Sequence, residues 1–225
     1  MKQSILKIGL TIGLGLLLIL SAQAQTGEDL LQKTKRAEAL NNQAVDLIEV
    51  GKFTDAVNFL QEAIRLCPHY TIAYGNLSAA FYGNGQLDKS IAALKKAIEL
   101  KSDYAEDYNK LGAIYAETGK TDEAVILFER AVELQPDFAP AYYNLGCVYS
   151  RLKKFKKVIV SIEQVVRLQP QNAEARFLLG RMYLLKNDKQ SAQIQYKNLA
   201  ALDPLLARKL YSAIYANLLI SAAEK

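Results

Sequence analysis

The chain has 225 residues, 51% of them hydrophobic and 23% charged, with 12 Gly, 5 Pro, 2 Cys, 1 His and no Trp. That balance fits one or two packed domains and excludes a disordered or collagen-like chain. One His and two Cys also exclude the ligand-rich composition of a zinc or haem enzyme, so no metal site and no cofactor is expected.

In chain order, Lys2 and Lys7 flank a polar start, residues 8–20 form an uncharged run, and Ala22-Gln23-Ala24 has the small-x-small pattern of a cleavage site. Residues 1–24 therefore read as a secretory signal peptide, giving an exported product, periplasmic or secreted, that begins at Gln25. The alternative is an inner-membrane anchor made by the uncleaved segment. Such a run of helix, however, spans only about 20 Å against a hydrocarbon core of about 30 Å. Losing Lys2 and Lys7 lowers the formal charge from +5 to +3. Residues 25–138 hold 12 bases and 18 acids, whereas residues 139–225 hold 14 bases and 5 acids. An exported chain makes nucleic acid a poor partner. An acidic protein, or peripheral contact with anionic lipid headgroups, suits the basic half better.

Residues 28–36 contain no Pro or Gly, so residues 25–36 are expected to extend the first repeat helix backwards. From Ala37 the sequence repeats in five rows of equal length, 37–70, 71–104, 105–138, 139–172 and 173–206. One column holds Leu40, Tyr74, Tyr108 and Tyr142, and the next holds Leu77, Leu111, Leu145 and Leu179. Gly112, Gly146 and Gly180 follow, then Leu47, Phe81, Tyr115, Tyr149 and Tyr183. The second half of each row aligns Ala56, Ser90, Ala124 and Ala192, then Leu60, Leu94, Phe128, Ile162 and Tyr196, and Pro68, Pro136, Pro170 and Pro204 close four rows.

Tyr108, Leu111, Gly112 and Tyr115 fall on one helical face, and Ala124, Phe128 and Ala131 form the facing side of a second helix. Small residues beside large ones let two antiparallel backbones approach. Gly51, Gly85 and Gly119 mark the turns between them. Lys153 replaces the fourth turn glycine, while Val158, Val165 and Leu199 replace small alanines, which predicts looser packing or an altered crossing angle in the last two rows. Leu206, Leu210, Ile214 and Leu218 then form an i+4 stripe backed by Tyr211 and Tyr215, making residues 207–225 a C-terminal capping helix.

This pattern resembles the tetratricopeptide repeat family, most fully at Tyr108, Leu111, Gly112, Tyr115, Gly119, Ala124, Phe128, Ala131 and Pro136. The resemblance implies an all-α fold, a right-handed α-solenoid of five helix-turn-helix repeats, whose first helices line a concave groove that holds a peptide. In the matching columns the groove candidates are Asn76 and Tyr82 in the second row and Tyr143, Asn144, Cys147, Arg151, Phe177, Arg181 and Leu184 in the last two. Aromatic and Arg side chains dominate binding energy. The expected ligand is a protein or peptide with an acidic or C-terminal carboxylate group near Arg181 and Arg151 and an apolar side chain between Tyr143 and Phe177. Phe177 and Leu184 equally suit packing against the cap. Family members that grip the carboxylate of heat-shock chaperones use two bases in their third unit. The register from Asn41 offers Glu106 and Lys110 there, so that clamp is absent.

No enzyme constellation is visible. His69 follows Pro68 in a loop, and Gly83-Asn84-Gly85 is a turn between helices. Cys67 and Cys147 lie more than two repeats apart, too far for an internal bridge in this geometry. Cys67 is expected to be exposed and free to link two chains. Residues 151–157 hold five bases around Phe155, a solvated turn on the plainest reading. The expected function is a non-catalytic interaction scaffold. Alternatives are a self-assembling structural protein, as a homo-oligomer, or an accessory subunit of an envelope or secretion complex.

Overall fold

A computed structural model describes residues 27–101 and 103–223, with side chains to residue 215. The signal-peptide segment, its cleavage site, and the side chains of Asn217 and Leu218 lie outside the described residues. Among the described residues the chain is all helical, with eleven helices and no strand. None of these helices is long and apolar enough to cross a membrane. The chain divides into two compact units at Leu100/Lys101.

The first unit holds α1 (residues 27–49), α2 (Phe53–Leu66), α3 (Thr71–Gly83) and α4 (Leu87–Leu100). Helix α1 runs unbroken from residue 27 through the start of the first repeat. The core of this unit packs Leu40, Ala44, Leu60 and Ala63 with Leu77, Ala80 and Phe81. Where the third and fourth repeats have Gly, the second has Ser78, whose hydroxyl lies 2.7 Å from that of Ser90. Ser90 also donates to the Ser78 carbonyl at 2.9 Å. Both serines are buried, so mutual hydrogen bonding offsets the cost of removing them from water.

The second unit holds α5 (Ala105–Glu117) with α6 (Thr121–Leu134), α7 (Ala139–Arg151) with α8 (Phe155–Leu168), α9 (Ala173–Leu185) with α10 (Lys189–Leu202), and finally α11 (Pro204–Ala223). Its largest core joins Phe128, Leu145, Val148, Tyr149, Ile162 and Leu179. Val158, Val165 and Leu199 are fully buried, so the larger residues fill the interior of the last repeats. Helix α11 starts at a built cap: Asp203 Oδ1 accepts from the backbone N–H groups of Leu205 and Leu206 at 2.9 Å, and Pro204 takes the first helical position.

Five turns of the same design join the helices of each repeat. Positive φ recurs at one equivalent position per repeat, at Gly51 (74°), Gly85 (71°), Gly119 (81°), Lys153 (57°) and Asn187 (62°). Each turn closes with a 2.8 Å backbone bond, from Lys52, Gln86, Lys120, Lys154 and Asp188 back to Leu47, Phe81, Tyr115, Tyr149 and Tyr183. Lys153 adopts the same left-handed turn without being glycine, at a steric cost of about 1 kcal/mol.

The glycine column shows how closely the helices approach. A Cβ on Gly112 would lie 2.8 Å from the Phe128 ring, and one on Gly146 would lie 2.6 Å from Ile162 Cδ1. In the fifth repeat the residue over Gly180 is not Tyr196 of the second helix but Leu210 of α11, 2.5 Å from an added Cβ. Tyr196 is half-buried and faces Tyr211, ring centroids 5.4 Å apart. Leu210 occupies the space that Phe128 and Ile162 of the second helix fill in the third and fourth repeats, and Tyr196 packs on the edge of the cap core.

Candidate functional site

Two first helices of the second unit, α7 and α9, carry seven of the nine groove residues predicted from sequence. Asn76 and Tyr82 belong to the first unit. There Asn76 Nδ2 donates to Asn41 Oδ1 at 2.8 Å, and Tyr82 is exposed.

Tyr143, Cys147 and Arg151 lie at i, i+4 and i+8 on one face of α7. Tyr143 is exposed, Cys147 half-buried. Burial pushes the Cys147 thiol up, against the opposing pulls of Arg151 and of a hydrogen bond with Tyr143. The thiol therefore stays protonated at neutral pH, the opposite of an activated nucleophile. Cys147, then burial and Glu174, push the Tyr143 phenol up as well. Arg151 Nη1 donates to the Ala116 carbonyl at 2.7 Å, so this guanidinium closes the C-terminal end of α5, where helix carbonyls lack partners.

Tyr143 and Asn144 line a recess of about 320 Å³ with Gln169, Asn172 and Glu174. Ala139, Pro140 and Val165 complete its wall, and Phe177 does not line it. Asn144 Nδ2 donates to Asn109 Oδ1 at 2.8 Å, joining α7 to α5. Asn172 also accepts from the Ala175 N–H at 2.9 Å, capping α9.

On α9, the Arg181 guanidinium lies over the Phe177 ring, 5.9 Å from its centroid. Arg181 is exposed and makes no ion pair with a described residue. Phe177 and Leu184 are half-buried and pack on the cap core of Ala192, Leu199, Leu210 and Ile214. Two of the expected anchors thus stabilise the end of the fold.

Residue spacing also contained signals the groove columns missed. Tyr149 donates to Glu129 Oε1 and Tyr183 to Glu163 Oε1, each at 2.5 Å and each 20 residues apart. The two Asn–Asn bridges both span 35 residues. A fixed offset between polar pairs, one repeat plus one residue, was readable in the sequence as a contact between successive first helices.

Cys67 corrects an expectation. It is half-buried, lies against the first-unit core, and its Sγ is 3.9 Å from Thr34 Oγ1. The long α1 covers it. His69 is exposed in the loop after α2. Among the described residues no three His, Cys, Asp or Glu side chains cluster closely enough to hold a metal ion.

Comparison with known proteins gives consistent matches. Family models described as "TPR repeat" match residues 79–119 and 112–153. Models described as "Tetratricopeptide repeat" match residues 36–67, 139–172 and 161–217. No curated protein matches the sequence. Among solved structures, PilF of Pseudomonas aeruginosa is 19% identical with a TM-score of 0.70, covering 83% of this chain and 92% of its own. MamA is 24% identical with a TM-score of 0.64, covering 73% and 96%. YrrB, described as a TPR protein with an unusual peptide-binding site, is 19% identical with a TM-score of 0.61, covering 77% and 90%. At these identities the likeness is one of fold.

Proposed function

The chain belongs to the tetratricopeptide repeat family, and from that premise we propose that it is an exported, non-catalytic scaffold that holds a peptide or partner protein on the first helices of its second unit. The observation that carries this reading is Arg181, an exposed guanidinium without an acid partner among the described residues, lying over the Phe177 ring. Such a planar fork takes a carboxylate in two parallel hydrogen bonds. A ligand carboxylate, side-chain or C-terminal, sits at Arg181. A polar side chain enters the recess of Tyr143, Asn144 and Glu174, whose acid favours an amide or amine donor.

The non-catalytic part rests on what the groove holds. Its thiol is pushed up rather than down, and the only His of the chain lies in the first unit. A reproducible hydrolase or transferase turnover lost on changing His69 would overturn it. Export rests on residues 1–24, and sequencing the N-terminus of the envelope product tests it: Gln25 is expected, and Met1 would move the chain to the anchored class.

The experiment for the scaffold reading is an affinity pull-down with the mature chain from its own envelope extract, repeated with Arg181→Ala. One or a few proteins should be enriched by the parent and lost with the variant. Enrichment that survives Arg181→Ala unchanged would place the binding surface elsewhere. Mass in solution at low and high salt separates this reading from salt-sensitive self-assembly, in which the acidic and basic halves of successive copies meet.

A further inference from the structure

The outer helices of the second unit carry a repeating feature that the groove does not use. Ile126 on α6, Val160 on α8 and Ile194 on α10 occupy the same position in three successive repeats and are 66%, 58% and 51% exposed. The same column in the first two repeats holds Asn58 and Ala92. A core does not need these side chains. Three large β-branched residues held in register on a solvent face form a row of apolar contacts rather than scattered exposure.

Beside the middle member lies a recess of about 330 Å³ between α6 and α8, floored by α7 through Tyr142, Leu145 and Tyr149. Val160, Lys156 and Lys157 form one rim and Glu129 the other. Glu129 is already engaged: Tyr149 donates to it at 2.5 Å, and Lys157 Nζ lies 3.9 Å away. Lys157 also sits over the Tyr149 ring, 4.8 Å from its centroid. Lys153, Lys154 and Lys156, by contrast, are exposed and make no ion pair with any described residue. They stand with the exposed Phe155 at the start of α8. No acid occupies the first turn of α8, although α2, α4 and α6 each carry one there. Lys156 thus leaves unpaired positive charge on the rim of an apolar recess, and Lys153 and Lys154 add more just outside its lining, ahead of α8.

We propose that this outer face, the row Ile126, Val160 and Ile194 with the lysine-rimmed recess, docks an acidic protein segment that bears large apolar side chains. Charge complementarity assigns the occupant: carboxylates meet Lys153, Lys154 and Lys156, and an apolar side chain fills the recess over Tyr142 and Tyr149. A concave recess receives a side chain, whereas a bilayer surface is met by protruding groups. Exposed lysines around an apolar centre give salt-sensitive association with the binding energy concentrated at the centre. This site is separate from the first-helix groove.

The test uses the mature full chain and short peptides, selected on it from a random display library and then synthesised with a fluorophore. Acidic sequences containing at least one large apolar residue should be enriched. The Lys153→Glu, Lys154→Glu, Lys156→Glu triple variant should weaken their binding at least 10-fold. It places acids at the start of α8, where the helix dipole favours them, so its Tm should not fall and the loss cannot be read as unfolding. Val160→Asp should weaken binding at least 5-fold. Selected acidic peptides that all lose binding with Arg181→Ala and not with the triple variant belong to the first-helix groove and would overturn the proposal. Selected peptides that bind the triple variant like the parent would overturn the proposal, as would a selection without acidic sequences. So would lysine-dependent flotation with phosphatidylglycerol vesicles in place of peptide binding, which makes the face a membrane contact. A mass in solution that doubles for the parent and not for the triple variant makes the occupant a second copy, and also overturns it.

Discussion

The third and fourth repeats and the fifth follow one plan, yet they fill their interiors from different sources. In the third repeat Gly112 faces Phe128, and in the fourth Gly146 faces Ile162, each from the repeat's own second helix. In the fifth, Gly180 faces Leu210 of α11, and Tyr196 turns to the aromatic pair Tyr211 and Tyr215. A terminal repeat has no following unit to cover its apolar side. The cap therefore reaches into the repeat itself, and Phe177 and Leu184 join its core. Of the groove set on α7 and α9, Tyr143, Arg151 and Arg181 are exposed, and Arg151 is engaged by the Ala116 carbonyl. Position in a repeat predicts where a side chain points, but the element that follows the repeat decides what it packs on.

Truncation tests this contrast with the largest expected effects. Phe128→Ala removes a fully buried ring and should cost about 3–5 kcal/mol, and Leu210→Ala about 2–5 kcal/mol, measured by urea unfolding. Tyr196→Ala, at the position equivalent to Phe128, should cost only about 1 kcal/mol, the scale of an aromatic pair. A loss for Tyr196→Ala as large as that for Phe128→Ala would break the comparison. A double-mutant cycle sharpens it. Gly180→Ala should be tolerated better in the Leu210→Ala background than alone, with a coupling of about 1 kcal/mol or more, because the added methyl then enters vacated space.

The turns give a smaller effect. Lys153→Gly should stabilise the chain by about 1 kcal/mol, because Lys153 holds φ 57° where Gly51, Gly85 and Gly119 stand in three other repeats. Asn187→Gly should gain only about 0.3 kcal/mol, since a short polar side chain tolerates that region. Thermal melts read both, and an unchanged Tm for Lys153→Gly would remove the strain argument.

The smallest effect is chemical. Burial raises the Cys147 thiol in the folded chain, so the folded state keeps its proton at a pH where the unfolded chain has begun to lose it. The thiol then opposes folding as pH climbs through the ordinary thiol range, near about 8.5. Alkylation of Cys147 at pH 8 should be several-fold slower in the native chain than in urea, approaching the unfolded rate only at higher pH. Equal rates at pH 8 would contradict the burial.

Most of the fold was legible because the repeat spacing carries helix faces, turn positions and stops in the same letters. Tyr108, Leu111, Gly112 and Tyr115 need only helical geometry to be placed on one face. The column of Tyr196 does not reveal its packing, because Leu210 of the cap takes the space over Gly180 that Phe128 takes over Gly112. Cys67 was misread as exposed because its row gives the helix end but not the overlying length of α1. The contacts of the groove set were less legible than the fold. Columns select the residues on α7 and α9, but Arg151 is drawn to the α5 carbonyls and the recess at Tyr143 takes its polarity from Glu174 on the next repeat, contacts that only the packed helices define.

The central claim is that Tyr143 and Arg181 hold the ligand while Phe177 serves the cap. Calorimetric titration of the peptide recovered from the pulled-down partner, on the parent and three variants, tests it most directly. Arg181→Ala and Tyr143→Ala should each weaken binding several-fold with little change in Tm, and Phe177→Ala should lower the Tm. Parent-like affinity in both Arg181→Ala and Tyr143→Ala would contradict the account.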